Sequence, residues 1–342
     1  MHFSVVIPLY NKQNSIVATL QSVLAQTYTD YEVVIVDDGS TDNSAHVVEE
    51  FIREVRGERL EVKDEVNGKA ESPADTPSGV PDKVRDFVGC SYTIHSPSIH
   101  LIRKSNAGVS SARNEGIRQA KYKYVAFLDG DDYWEPTYLE TQSQMLKDFP
   151  NAKMWGTAWG MMFGCDKQEG HGVGVPLDYC GMIDANTYFS KKMFLYWTDI
   201  VVVDKSIFSE IGMFDERMGC GEDVDLWWRI ILHYPVAYTN QCLAYYRQDT
   251  ENRITLSKPK LQTHFINYIE KYEQYYDKCP DFKRYLQHEV LGHLYKYYRE
   301  CPSNKDVKRI LSHIDFSLQP ISYRLRYTFP NFYELIQKVR NK

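Results

Sequence analysis

Long apolar runs are missing from this chain. None approaches the ~20 residues that a membrane-spanning helix needs. The N-terminal residues Met1 to Ser4 lack the basic and then apolar pattern of a secretory signal peptide. We therefore expect a cytoplasmic protein whose contact with a membrane, if any, is peripheral and on the inner face.

Paired cysteines are missing as well. The seven cysteines form no C-x-x-C pair, and their number is odd. This pattern argues against a zinc site and against a disulfide framework, and it fits a reducing compartment.

A basic surplus is also absent. The net charge is −6, which argues against nucleic acid as the main partner. The 342 residues are 43% hydrophobic, enough for one large core or two small ones.

The first 130 residues alternate between strand and helix patterns. Short apolar runs predict buried strands, and each is followed by a segment with apolar residues at helical spacing. Ser40 is the predicted N-cap of the second helix. The predicted strands are residues 3–9, 31–36, 99–102 and 124–128. This alternation predicts an α/β fold, with a mostly parallel sheet covered by helices on both faces.

Residues 57–98 interrupt this rhythm. They are polar, contain several prolines and show no sustained period, which predicts an insertion that is a loop or partly disordered. Residues 155–181 are rich in glycine and aromatics and predict irregular strands and loops, whereas residues 223–232 predict a helix. From about residue 258 the chain predicts short helices separated by prolines. We place a first domain at 1–255 and a helical region at 256–342.

Each of the four predicted strands ends in a polar turn. The turns contain residues 8–11, 37–40, 106–108 and 129–132. Because the carboxyl ends of parallel strands lie at one edge of the sheet, these turns should form a single cleft.

The fourth turn, residues 128–132 (Leu-Asp-Gly-Asp-Asp), places three carboxylates directly after a buried strand. Carboxylates this close repel one another, and a divalent cation removes that repulsion. The alternative is a solvated acidic turn that caps the helix beginning near Pro136, and the spacing alone leaves both open.

The second and third turns carry further candidates. Asp37 and Asp38 precede a helix and suit either hydrogen bonds to a base or ribose, or plain helix capping. Gly108 allows close backbone approach, and Arg113 lies in the following helix. Arg113 is either a phosphate or base contact, or a surface arginine.

A second acidic site lies at residues 219–223 (Gly-Cys-Gly-Glu-Asp), where a helix begins. The helix dipole favours ionised carboxylates there, and an ionised carboxylate can act as a general base towards an acceptor hydroxyl. Helix capping is the alternative. Asp225, two residues further, is expected to be solvated.

Taken in order, these motifs resemble the family 2 glycosyltransferases, which have the GT-A fold, a Rossmann-like sheet. The set comprises residues 6–11 (Val-Ile-Pro-Leu-Tyr-Asn), 36–42 (Val-Asp-Asp-Gly-Ser-Thr-Asp), 106–110 (Asn-Ala-Gly-Val-Ser), 112–114 (Ala-Arg-Asn), 128–132 and 221–223 (Gly-Glu-Asp). The resemblance is strong over residues 3–135 and weaker to 250, and the C-terminal helical extension has no counterpart.

The resemblance implies an inverting enzyme that moves a sugar from a nucleotide-sugar, commonly a UDP-sugar, to a glycan or lipid-linked hydroxyl. It implies that Asp223 is the catalytic base, with Glu222 orienting the acceptor. Asp131 and Asp132 would bind Mn²⁺ or Mg²⁺. The implied nucleotide-sugar contacts are Pro8, Tyr10, Asp38, Asn106, Gly108, Arg113, Asp129, Gly130 and Asp131.

Acceptor contacts are expected from Trp134, Trp197 and Asp199, although core packing is the alternative for the tryptophans. Arg247 and Arg253 fall where a mobile loop in this family often closes over the donor. The Gln/Arg-x-x-Arg-Trp motif of the family's processive synthases is absent, which predicts transfer of one or a few sugars.

The C-terminal residues 321–342 are basic and interleaved with aromatics. They suit either peripheral contact with an anionic membrane or an amphipathic helix packed on the domain.

Two other functions compete with sugar transfer. A nucleotidyltransferase should carry a glycine-rich loop after its first strand, and residues 8–11 contain no glycine. A non-catalytic nucleotide- or carbohydrate-binding module would leave Glu222 and Asp223 without a role.

Overall fold

The computed structural model describes residues 1–57, 97–251 and 259–330. Most of the predicted insertion lies outside the described residues. So do Arg253 and the basic residues of the extreme C-terminus.

The first half of the sheet is parallel and follows the predicted pattern. Its strands are β1 (Phe3–Leu9), β2 (Tyr31–Asp37), β3 (Ser98–Arg103) and β4 (Tyr124–Phe127), and its helices are α1 (Ile16–Leu24), α2 (Ser44–Val55) and α3 (Val109–Gln119). The strand order is β3-β2-β1-β4, with every pair parallel. Every residue of β1 and β2 is buried, as expected for a sheet covered on both faces.

The predicted N-cap at Ser40 is wrong, since α2 begins at Ser44. Ser40 instead joins two turns, because its backbone N–H donates to Asp37 (3.0 Å) and its hydroxyl accepts from the backbone N–H of Asn11 (3.0 Å). The residues between Ser40 and Ser44 therefore build the rim of the cleft before the helix starts.

The second half of the sheet is mixed. It contains β5 (Tyr133–Trp134), β6 (Met154–Phe163), β7 (Asp166–Gln168), β8 (Cys180–Ile183), β9 (Val201–Asp204) and β10 (Val236–Arg247), with helices α4 (Tyr138–Asp148), α5 (Ala185–Ser190), α6 (Phe208–Ile211) and α7 (Glu222–His233). The order continues β4-β9-β6-β10-β5, and β9 is antiparallel to both of its neighbours.

Residues 155–181 contain strands joined by loops, as expected, and the pairing of β6 with β10 is interrupted by β-bulges. β6 is nevertheless a continuous ten-residue strand. Its glycines are needed for close packing. A Cβ on Gly156 would lie 2.7 Å from the ring of Tyr196, and one on Gly160 would lie 2.2 Å from the carbonyl oxygen of Gln168.

The C-terminal part is helical, as predicted. It contains 3₁₀ turns at Leu261–Thr263 and Phe265–Tyr275, then α8 (Pro280–Glu300), α9 (Lys305–Ser312) and α10 (Ile321–Thr328). With 21 residues, α8 is not one of the short helices that we expected. Proline at its first position does not break it, because the missing N–H has no helical partner there.

This helical part shares a core with the rest of the chain. The ring of Trp228 on α7 contacts the rings of Phe265, Tyr272, Phe282 and Tyr285. The domain boundary at residue 255 stays a prediction. Within the described ranges, no helix has the length and apolar character required to cross a membrane.

Candidate active site

The four polar turns meet at one rim, as the parallel order requires. The backbone N–H of Asp38 donates to the carbonyl of Leu9 (2.8 Å), joining the first turn to the second. The carboxylate of Asp38 accepts the backbone N–H groups of Ala107 (3.0 Å) and Gly108 (2.8 Å), joining the second turn to the third. Gly108 has a φ of 93°, a conformation that favours glycine.

Asp38 is buried, and Lys104 also donates to its carboxylate (2.5 Å). Lys104 was not predicted from the sequence. The carboxylate therefore accepts hydrogen bonds that hold the second and third turns together. A direct contact of Asp38 with a nucleobase stays a prediction. Tyr10 and Asn106, two other predicted donor contacts, are exposed at the same rim, whereas Pro8 is buried in β1.

Arg113 links the third turn, the fourth turn and the second acidic site. It is buried, and its guanidinium donates to both carboxylate oxygens of Asp129 (2.7 and 3.0 Å) and to Glu222 (2.8 Å). Burial alone lowers the pKa of Arg113, but Asp129 and Glu222 outweigh it and the net pKa is raised. The alternative of a surface arginine is excluded by this burial.

The acidic turn is a cluster rather than a solvated loop. Carboxylate oxygens of Asp129, Asp132 and Asp199 all lie within 4.8 Å of one another. Burial, together with the neighbouring carboxylates Asp199 and Asp131, raises the pKa of Asp132 well above its usual range. Burial and Asp129 raise that of Asp199 to about 7. A divalent cation would relieve this repulsion with the oxygen ligands that it prefers, so the donor set fits such an ion.

Gly130 lets this turn approach the first one. A Cβ at Gly130 would lie 3.1 Å from the carbonyl oxygen of Pro8, closer than such contacts normally are.

Asp131 points to a different partner from the other acids of the turn. Its Oδ2 accepts from the ammonium of Lys12 (2.6 Å) and from the hydroxyl of Thr250 (3.0 Å). Burial raises the pKa of Asp131, and Lys12 opposes that rise. Neither Lys12 nor Thr250 was predicted as a site residue.

The second acidic site lies at the N-terminus of α7. Gly221 adopts a left-handed conformation with φ 78°, and the ring of Phe265 would lie 2.3 Å from a Cβ there, so only glycine fits. Burial and the neighbouring Glu222 raise the pKa of Asp223 to about 6, while Arg113 opposes the rise. A carboxylate with this pKa is ionised at neutral pH and is still basic enough to accept a proton.

The expectation that Asp225 is solvated is wrong. Its side chain is completely buried, pairs with Arg229 (2.9 Å) and Lys271, and accepts the hydroxyl of Tyr272. Asp225 therefore fixes α7 against the helical C-terminal part.

The three predicted acceptor residues have different surroundings. Trp134 is wholly buried, stacks on Tyr138 with ring centroids 4.0 Å apart, and donates to the carbonyl of Asp199 (2.6 Å). A wholly buried ring has no face for a sugar, which speaks against acceptor contact by Trp134. Trp197 is only partly buried.

The carboxylate of Asp199 accepts the backbone N–H of Asp129 (2.6 Å) and the indole N–H of Trp197 (3.0 Å). It is buried, so its oxygens serve the acidic cluster and the orientation of Trp197 rather than an open acceptor surface.

Arg247, one of the two arginines expected in a loop that closes over the donor, lies beside the acidic turn. Its backbone N–H donates to Asp132 (2.9 Å), and its side chain lies 3.9 Å from Asp249. The segment that contains it therefore touches the acidic turn.

Of the C-terminal tail, α10 packs on α8. The hydroxyl of Tyr327 donates to the carbonyl of Leu291 (2.6 Å), and that of Tyr298 donates to the carbonyl of Tyr327 (2.7 Å).

Comparison with known proteins agrees with this architecture. The model of glycosyl transferase family 2 matches residues 4–72 and 77–169. YibD of Escherichia coli K12, named an uncharacterized glycosyltransferase, is 32% identical over 157 residues, which are 46% of this chain and 34% of YibD. TuaG of Bacillus subtilis, a putative teichuronic acid biosynthesis glycosyltransferase, is 28% identical over 260 residues, covering 75% of this chain and 82% of TuaG.

The crystal structure of TarS residues 1–349 from S. aureus, in complex with UDP-GlcNAc, superimposes with a TM-score of 0.55 at 15% identity. The superposition covers 98% of this chain and 76% of the TarS chain, and it shows a shared GT-A fold. All four rim turns lie within the residues that the family model matches. The match to the glycosyl transferase family 2 model therefore covers just under half of the chain, the half that contains the rim of the cleft.

Proposed function

We propose that this chain is an inverting glycosyltransferase that moves a sugar from a nucleotide-sugar to a hydroxyl acceptor. The observation that carries the proposal is the buried bridge from Asp129 through Arg113 to Glu222. It brings a turn suited to a metal and diphosphate into one cleft with a carboxylate suited to proton transfer. TarS was crystallised with UDP-GlcNAc and with UDP, which supports a UDP-sugar as the donor.

In the proposed reaction, Asp223 accepts the proton of the acceptor hydroxyl while that oxygen attacks the anomeric carbon. The bond to the diphosphate breaks in the same step, so the anomeric centre inverts and no covalent enzyme intermediate is needed. Glu222, held by Arg113, orients the acceptor. Its fixed position also keeps a negative charge beside Asp223, which strengthens that base.

Mn²⁺ or Mg²⁺ is the proposed cofactor. We assign Asp131 and Asp132 as its ligands, with further carboxylate oxygens from Asp129 and from Asp199, which lie within 4.8 Å of that of Asp132. A bound cation would stabilise the negative charge of the leaving diphosphate. The nucleoside is proposed to lie against Tyr10 and the turn from Asn106 to Gly108, at the rim that Asp38 organises.

The proposed acceptor is a glycan or a lipid-linked saccharide, consistent with the teichuronic acid role in the name of TuaG. Trp197 is the aromatic residue proposed to contact it, since its ring is partly accessible and its indole N–H is held by Asp199. A role in polysaccharide or cell-envelope synthesis, at the inner face of a membrane, follows from such an acceptor.

Calorimetry with UDP in the presence and absence of Mn²⁺ tests the proposal. We expect binding that depends on the metal, and no such binding would refute the donor assignment. A panel of nucleotide-sugars, assayed for slow donor hydrolysis, then identifies the sugar. Binding of UDP with Mn²⁺ but without hydrolysis or transfer of any donor would indicate a non-catalytic binding module instead.

A further inference from the structure

The ammonium of Lys12 contacts one carboxylate of the acidic turn, that of Asp131. Its Nζ is 2.6 Å from Oδ2 of Asp131 and also donates to the carbonyl oxygen of Glu251 (2.6 Å). The Lys12 and Asp131 side chains retain only 13% and 11% of their accessible surface. A carboxylate and a carbonyl are also the ligand types that hard divalent cations prefer.

Lys12 joins three separate segments of the cleft. It belongs to the turn after β1, Asp131 belongs to the turn after β4, and Glu251 follows β10. The carboxylate of Glu251 returns to the first turn, where it accepts the backbone N–H of Asn14 (2.9 Å) and the hydroxyl of Ser15 (3.3 Å). The ammonium is therefore held in place from more than one side.

An ammonium and a divalent cation cannot both take the same oxygen of Asp131 without strong repulsion. When the metal binds, Lys12 has to leave this carboxylate. Its flexible four-carbon stem allows the head group to move, and a displaced, poorly solvated cation requires a nearby anion. In the proposed function, the anion that arrives beside Asp131 is the donor diphosphate.

We infer that Lys12 occupies the cation position at Asp131 in the donor-free protein. When the metal binds, the ammonium of Lys12 moves away from Asp131 and pairs with the donor diphosphate. This inference rests on the proposed function. Lys12 then has two opposite effects: it weakens binding of the metal alone, and it strengthens binding of the nucleoside diphosphate together with the metal.

The variant Lys12→Met separates these effects. Without nucleotide, Mn²⁺ should bind about tenfold more tightly, because the charge-assisted hydrogen bond to Asp131 no longer has to be broken. At saturating Mn²⁺, UDP should bind about tenfold more weakly, because one cation has been removed from the diphosphate. A purely structural lysine would change both affinities in the same direction or neither.

Mn²⁺ affinity is measured by electron paramagnetic resonance without nucleotide, and UDP affinity by calorimetry with Mn²⁺. Lys153→Met is the matched control, since Lys153 pairs with Asp204 (2.9 Å) away from the rim turns. It should change neither affinity. Thermal unfolding checks that each variant is folded. If Lys12→Met is unstable, the same two affinities are measured with Lys12→Gln.

Opposite shifts in the two affinities would support the inference. Unchanged Mn²⁺ affinity in a folded Lys12 variant, alongside normal UDP binding by the wild type, would overturn it and leave the proposed function standing. If the wild type binds no UDP with Mn²⁺, the proposed function falls, and the inference falls with it.

Discussion

Replacing Asp223 by asparagine should remove sugar transfer while making the protein more stable. The carboxylate is the proposed base, and general bases contribute about 10²–10⁴-fold to rate. Asparagine keeps the shape and cannot accept the proton, so transfer should fall by about that factor. Donor binding should be unchanged, because no donor contact is assigned to Asp223.

The gain in stability follows from the pKa. The pKa of Asp223 is about 6 in the folded protein and 3.8 as a model value, so the folded state holds the proton more tightly than the unfolded chain does. Ionisation of Asp223 therefore opposes folding. The free-energy cost of this ionisation to folding is absent below pH 3.8, grows as the pH rises towards about 6, and then stays constant.

This shift corresponds to about 3 kcal/mol if asparagine loses no contacts. The side chain is only partly buried, so solvent screening reduces the expected gain to about 1–3 kcal/mol. The wild-type rate of transfer should show the same ionisation, falling about tenfold per pH unit below the pKa of Asp223.

Urea unfolding of wild type and Asp223→Asn across the acid range measures the stability difference, and transfer assays over the same range measure the ionisation. Asp225→Asn is the matched control on the same helix. Because Asp225 is buried and paired with Arg229 and Lys271, this variant should lose stability, by about 3 kcal/mol.

Two results would refute this reasoning. Normal transfer by Asp223→Asn would show that the base lies elsewhere. Loss of stability in Asp223→Asn at neutral pH would show that favourable contacts of the carboxylate outweigh the destabilisation that burial and Glu222 cause.

Arg113→Met should lower the free energy of unfolding by about 3 kcal/mol, because it leaves Asp129 and Glu222 unpaired. It should also move the acid limb of the pH–rate profile to higher pH, since Arg113 lowers the pKa of Asp223; an unchanged limb would contradict this. Asp131→Ala should abolish the Mn²⁺ dependence of UDP binding, measured by calorimetry, and retained dependence would contradict the metal assignment. Deleting residues 331–342, which contain three of the basic side chains of the tail, should reduce co-sedimentation with anionic liposomes. Undiminished sedimentation would contradict membrane contact through these residues.

The parallel half of the sheet could be predicted because its patterns are local. β1 and β2 are continuous apolar runs that each end in a polar turn, and they were located to within one residue. The start of α2 was not located correctly, because Ser40 has the chemistry of an N-cap and yet joins two turns. Strands were expected from residue 155, but the bounds of β6 were not predicted, because its glycines weaken the strand pattern and the tyrosine ring that fills the space beside Gly156 comes from residue 196.

The candidate site was predictable to the extent that its turns follow strands. Asp129, Arg113 and Glu222 were each identified as candidates, and the structure joins them directly. Lys12 was not identified, because a lysine in a polar turn is usually solvated and nothing local distinguishes this one. The environment of Asp225 was mistaken for a similar reason, since its partner Lys271 lies far along the chain.

The sequence by itself determined that four polar turns lie at one edge of a parallel sheet and that a second acidic site begins a helix. These features depend on apolar periodicity and chain direction, which neighbouring residues set. Only the tertiary structure decided which charges meet. Lys12 and Asp131 are 119 positions apart, and Arg113 and Glu222 are 109 apart. Their pairing depends on how the strands order within the sheet and on how much water each side chain loses, and neither is recorded in the local sequence.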